Sequence, residues 1–154
     1  MPISVRKPRS FPAVTAPLRA LITATLALEQ RRPGEISVLL TDDAMLRDMN
    51  RRWRGIDRAT DVLSFGEEPE GRATHGDLVI SLDRLRAQAK RYRVTAGREL
   101  ARLVVHGTLH LAGHDHHRVT ERAVMRTRER RVLAAAAHDV KRLDAALGEH
   151  RRRD

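Results

Sequence analysis

Hydrophobic positions along the chain switch between a helical period of about 3.6 residues and short unbroken apolar runs, and each switch predicts a change of element. LRALITATLALEQRR, within residues 16 to 31, has the spacing of an amphipathic helix, and Pro33 with Gly34 predicts its end. EISVLLT, at 35 to 41, is β-branched and apolar and reads as a strand. In TDDAMLRDMNRRWRG, Thr41 and Asp42 are cap candidates, Met45, Leu46 and Met49 share a helical face, and Gly55 marks the stop. TDVLSF, at 60 to 65, is a short strand. EEPEGRATHG is a loop of turn formers, and GDLVISL, at 76 to 82, is a further strand.

The second half reads as helical. DRLRAQAKRYRV is a charged surface helix. From 96 to about 112, Leu100, Leu103, Val104, Leu109 and Leu111 predict a mostly buried helix. A last helix over roughly 118 to 147 turns Val124, Met125, Val132 and Leu133 inward and its arginines outward. Residues 1 to 15, interrupted by prolines, are expected to form a loose or extended arm, flexible or strand-forming. Residues 148 to 154 are expected to be a solvated tail. Strands alternating with helices, without repeats or a hinge-like linker, predict a compact α/β or α+β domain.

Composition narrows this picture. At 154 residues the chain suits a single domain spanning 1 to 154. Hydrophobic residues make up 41% but aromatics only 3%, so the core must be aliphatic. No run approaches the roughly 18 apolar residues of a membrane span, and the proline-broken basic start lacks the apolar core of a secretion signal. Cysteine is absent, which excludes disulfides and leaves histidine and carboxylate as metal donors. A cytoplasmic protein is expected.

The net charge of +10 points to a polyanionic partner, nucleic acid first. All but Lys7, Lys90 and Lys141 of the 30 basic residues are arginines. That skew has a competing explanation in a base composition favouring arginine codons. Stacking aromatics are scarce, with Phe11, Trp53, Phe65 and Tyr92 the full set, which disfavours strong sequence reading of a single strand by stacking.

The chemistry concentrates in VVHGTLHLAGHDHH, 104 to 117, where five of the eight histidines fall within twelve residues. His106 and His110 lie one helical turn apart on one face. Gly113 can take a left-handed conformation and end the helix, letting the chain fold back with a third imidazole. His116 is the natural candidate, with His114 and His117 as alternatives after the same turn. Three neutral imidazoles and an open position make a catalytic zinc arrangement. The spacing H-x3-H-x2-G-x2-H is also that of metzincin proteases, but the residue after the first histidine is Gly107 where those enzymes carry a glutamate base.

HGTLHLAGHDH resembles the signature of the YbeY family, bacterial metal-dependent endoribonucleases of ribosomal RNA maturation. RGIDRATDVLSF, 54 to 65, and GDLVISL from Gly76 are similar to two further blocks of that family, and the resemblance covers about residues 35 to 130. It implies one zinc ion held by His106, His110 and His116, and Arg54 as the functional arginine beside them. It also implies an α+β fold, a small mixed sheet packed against several helices, and ribosomal RNA and ribosomal particles as partners. His114 occupies an aromatic position of the signature, His117 is an additional imidazole, and the first 34 residues match less clearly.

The expected reaction is zinc-assisted hydrolysis of a single-stranded RNA phosphodiester, with Arg54 and His106 as the catalytic pair. Arg54 would meet phosphate through two parallel hydrogen bonds. Asp115 and Asp77 are candidates for orienting a ligand imidazole, and His114 or His117 for proton donation. Ser64 and Thr60 would line the site or satisfy backbone in a turn. No general base is identified. Two other readings compete: a zinc hydrolase of another substrate class, against which Gly107 argues, and a non-catalytic ribosome assembly factor with a structural zinc.

Overall fold

The computed structural model describes residues 3–67, 71–114 and 118–152. In chain order these form β1 (Ile3–Arg6), α1 (Thr15–Leu28), β2 (Arg32–Thr41), α2 (Asp43–Arg54), β3 (Val62–Gly66), β4 (Ala73–Ser81), α3 (Leu82–Tyr92), α4 (Ala96–Leu111), α5 (Val119–Ala135) and α6 (Ala137–Arg152). The sheet order is β1-β2-β4-β3, with β2 parallel to both of its neighbours and β3 antiparallel to β4 at the edge. This is the small mixed sheet with packed helices expected of an α+β domain. Among the described residues, no helix is long and apolar enough to cross a membrane.

Strand alternation sorts side chains between two faces. Ile36, Val38 and Leu40 of β2, with Leu78 and Ile80 of β4, pack into a core shared with α1, α3, α4, α5 and α6. Leu39, Leu63, Val79 and Phe65 form a smaller cluster on which α2 lays Leu46 and Met49. Asp42 caps α2 by accepting the Met45 amide, and Gly55 ends it at φ 71°. Met45 itself is 43% exposed, so the apolar face of α2 is narrower than the sequence predicts.

The N-terminal arm, read as flexible or strand-forming, contains β1, which pairs Ile3 and Val5 with Ile36 and Val38 before Pro8 and Pro12 interrupt the chain. Four elements depart from the sequence reading. Helix α1 ends at Leu28, three residues early. Gln30 takes φ 59°, its amide bonds Ala27 and the Arg31 amide bonds Leu26, closing a Schellman turn without glycine. Pro33 and Gly34 then lie in β2 at a bulge, where a Cβ on Gly34 would meet the His75 ring at 2.3 Å. β4 likewise begins at Ala73, ahead of the expected Gly76.

The fourth departure is the last helix, which breaks at Ala136 (φ −104°, ψ 29°) in a run with neither glycine nor proline. The break redirects α6 across α4, where Val140 and Leu143 join the core. On α5, Met125, Val132 and Leu133 are buried as expected, but Val124 is 47% exposed. The backbone of α6 continues to Arg152, through most of the expected tail.

Helices α4 and α6 come into backbone contact at Gly97, where an added Cβ would lie 2.6 Å from the Asp144 amide nitrogen and 2.8 Å from its Cα. Backbone cannot yield there as a side chain can. Gly97→Ala is expected to destabilise the protein by about 1–3 kcal/mol through forced separation of the helices. An unchanged urea midpoint for that variant would show that the contact is looser than described.

Candidate metal centre

Helix α4 starts at a Thr95 cap, whose hydroxyl accepts the Arg98 amide at 3.1 Å. It then runs through the core, with Leu100, Leu103, Val104, Val105 and Leu109 fully buried. Gly107 sets how closely its second half approaches the sheet. A Cβ there would stand 2.8 Å from a Leu78 methyl and 3.4 Å from both Val62 and the Ser64 hydroxyl. Ser64 donates to the Gly107 carbonyl at 3.4 Å, tying the helix to β3. The position after His106 therefore faces the sheet, and a glutamate at 107 would be driven into Val62 and Leu78, away from any substrate.

His106 and His110 face the edge of the sheet beyond β3. Their rings meet edge to face at 75°, with centroids 4.8 Å apart and the two Nε2 atoms 3.2 Å apart. A tetrahedral ion with bonds of 2.0–2.1 Å to nitrogen holds two donors about 3.3 Å apart. The pair thus has the bite of a divalent metal site. Gly113 takes φ 104° and ends α4 in a Schellman turn, with its amide on the His110 carbonyl and the His114 amide on Leu109. His116, the expected third ligand, lies outside the described residues, as do Asp115 and His117. Among the described residues, no set of three potential ligands converges.

Two carboxylates from other elements hold the histidine segment. Glu129 of α5 meets Nδ1 of His106 at 2.8 Å. Glu29, just past α1, contacts Nε2 of His114 through one oxygen and Arg128 through the other, at 3.1 Å. Neither carboxylate stands out in the sequence. They lie 23 and 85 residues from their imidazoles, and Glu129 sits in an arginine-rich helix. A charged side chain on the buried stripe of α5, in step with Met125 and Val132, was the available signal.

The imidazoles of 106, 110 and 114 share a cleft of about 580 Å³ with Asn50, Arg54, Arg58, Thr60 and Ser64. Of the arginines on α2, Arg47 forks onto Asp57 at 2.7 and 3.2 Å, and Arg51 and Arg52 pair with Asp48. The Arg47 hydrogen bond and charge hold the Asp57 carboxyl below its ordinary range, and the same bond raises the arginine. Arg54 makes no ion pair among the described residues. It reaches only the Ser64 carbonyl, at 3.5 Å, so its charge stays available to the cleft.

Asp77 is not at this site. It accepts the Ser37 hydroxyl on the opposite face of the sheet, in a second groove bordered by Phe65 and the exposed Trp53. One residue along β4 exchanges the two faces, so the adjoining sequence block carries Asp77 away from the histidines.

The chain matches the family model described as Endoribonuclease YbeY over residues 9–137. Among curated relatives, an Endoribonuclease YbeY of Roseiflexus castenholzii is 48% identical over 112 residues, covering 67% of this chain and 70% of the relative. One from Roseiflexus sp. is 42% identical over 144 residues, covering 86% and 90%. The solution structure of TM1509 from Thermotoga maritima shares the fold, with a TM-score of 0.59 at 22% identity over 98% of this chain and 93% of that one.

The bite of the two imidazoles yields a direct expectation. His110→Ala should lower zinc affinity at least about 100-fold, as expected for loss of a coordinating group. A chromophoric chelator in competition would read this, while the far-ultraviolet circular dichroism of the metal-free protein stays unchanged. Equal affinity in the variant and the parent would remove His110 from the site.

Proposed function

The chain belongs to the YbeY endoribonuclease family, and we propose that it is a zinc-dependent, single-strand-specific endoribonuclease of ribosomal RNA maturation and ribosome quality control. The observation that carries this reading is the pair of Nε2 atoms 3.2 Å apart in a cleft that also contains Arg54, which makes no ion pair among the described residues. The metal set is His106, His110 and His116, with one ion. Working partners are ribosomal RNA and ribosomal particles in the cytoplasm.

A bound zinc ion supplies Lewis acidity towards a phosphoryl oxygen or a water molecule. The chain's own residues do the rest. His106 and His110 present nitrogen donors from a helix that the core holds rigid. Arg54 gives its guanidinium to the scissile phosphate, where charge on the phosphoryl oxygens grows towards the transition state. Asn50 holds the segment after α2 in place by donating to the Arg58 carbonyl at 2.8 Å, which keeps Arg58 and Thr60 on the cleft wall. His114 is committed to Glu29, which suits it to fixing the turn after Gly113 more than to shuttling protons.

Cleft size supports a single strand, since a pocket of ligand dimensions encloses an unstacked nucleotide whereas an A-form duplex presents a wide, shallow face. Peptide hydrolysis by the metzincin route is disfavoured because position 107 packs against the sheet.

Cleavage of a single-stranded ribosomal RNA fragment should stop on chelation and return with zinc, while casein stays intact. Arg54→Ala should reduce kcat/KM by about 10²–10³, the usual consequence of losing one transition-state donor, without changing zinc uptake. RNA affinity should fall steeply with added salt, because phosphate contacts release counterions. Undiminished cleavage by metal-free protein, or by His110→Ala, would defeat the zinc-dependent reading, and no cleavage by the zinc-loaded parent would favour assembly without catalysis.

A further inference from the structure

Glu129 is 7% exposed and stands on the buried stripe of α5, beside Met125, Val132 and Leu133. A carboxylate removed from water is costly unless hydrogen bonds and charge compensate it. Its hydrogen-bond partner is Nδ1 of His106, at 2.8 Å. Arg102 lies close enough to feel its field, although that guanidinium is already forked onto Glu99 at 2.8 and 2.9 Å. An ionised carboxylate only accepts, so Nδ1 must carry the proton, and in a neutral imidazole the lone pair then falls on Nε2. That nitrogen faces His110 across 3.2 Å.

We infer that Glu129 is a positioning residue of this centre, locking His106 in the Nδ1-protonated tautomer and in one ring orientation so that Nε2 is presented as a ready donor. The inference rests on the metal reading given above, but its first consequence concerns the metal-free protein. Three features separate it from simple neutralisation of a buried acid. The bond goes to the nitrogen remote from His110. It comes from a different helix, 23 residues along the chain. And Arg102, which feels the charge of Glu129, is itself forked onto Glu99, so the imidazole is the group that Glu129 orients. Arrangements of this kind fix the tautomer and the angle of a ligand imidazole.

The test compares the parent with Glu129→Gln and Glu129→Ala, and with Glu99→Gln as a control that removes charge from the other buried carboxylate near Arg102. Nitrogen-15 spectra of the metal-free proteins at neutral pH read the His106 tautomer, and zinc affinity is read by chelator competition. The parent should show a protonated Nδ1 and a bare Nε2. Glu129→Ala should mix the tautomers and weaken zinc binding about 10–100-fold. Glu129→Gln, whose amide oxygen still accepts, should keep the tautomer and lose less than about ten-fold. Glu99→Gln should lower thermal stability and leave the tautomer alone.

The inference is overturned if the parent carries its His106 proton on Nε2. It is equally overturned if Glu129→Ala keeps both tautomer and affinity while only its melting temperature falls, which would make the carboxylate purely structural. Should the parent take up no zinc at all, the metal reading fails by itself, and the tautomer spectra still decide the role of Glu129.

Discussion

The close approach of α4 to the sheet at Gly107 governs the geometry of everything around the cleft. A helix and a sheet normally stand apart by the thickness of their side chains. Here the missing Cβ lets the helix backbone settle onto Leu78, Val62 and Ser64, and the Ser64 hydroxyl bonds the glycine carbonyl. With the helix held at that depth, His106 and His110 emerge at the open edge of β3, level with Arg54 on the end of α2. The glycine also removes the position that a metzincin would use for its base. One small residue sets the site's location and narrows its chemistry.

A second constraint is the burial of charge around α4. Glu99 belongs to this helix, Glu29 and Glu129 lie against it or the turn that follows it, and each has a partner: Arg102 for Glu99, His114 and Arg128 for Glu29, and His106 for Glu129. Adjacent residues of α5, Arg128 and Glu129, thus hold both ends of the histidine segment, one through Glu29 and one directly. Carrying α6 on in line from α5 would take Val140 and Leu143 out of the core and away from Gly97, so the break at Ala136 belongs to the same packing solution. The helix break, the buried acids and the ligand orientation answer one requirement: to seat a polar helix face at the margin of an aliphatic core.

Arginine abundance alone says little about function, because most of the arginines on α2 are neutralised locally. Arg47 pairs with Asp57, and Arg51 and Arg52 share Asp48, whereas Arg54 makes no ion pair among the described residues. What distinguishes the cleft is the pairing pattern, and the net charge of +10 would look the same with Arg54 paired and Arg47 unpaired.

Much of this protein was legible in its sequence. Hydrophobic period and the caps at Asp42 and Gly55 located α2. Apolar spacing located α4, and Gly113 its end. The interval between His106 and His110 placed both on one face, because four residues make about one turn of any α-helix. Those are local rules, and they hold whatever the rest of the chain does. What those rules leave open lies where a distant group decides. β1 exists because β2 offers it a parallel edge. Gln30 accepts a glycine's conformation, and Pro33 and Gly34 enter a bulged strand, under the pull of sheet pairing. Asp77, read as a group orienting an imidazole, and Ser64, read as lining the site, end on opposite faces because β3 and β4 pair Phe65, not Ser64, with Asp77. The carboxylates facing His106 and His114 come from 23 and 85 residues away. Burying a charge is favourable only when its partner arrives with it, and that meeting exists only once the chain has folded.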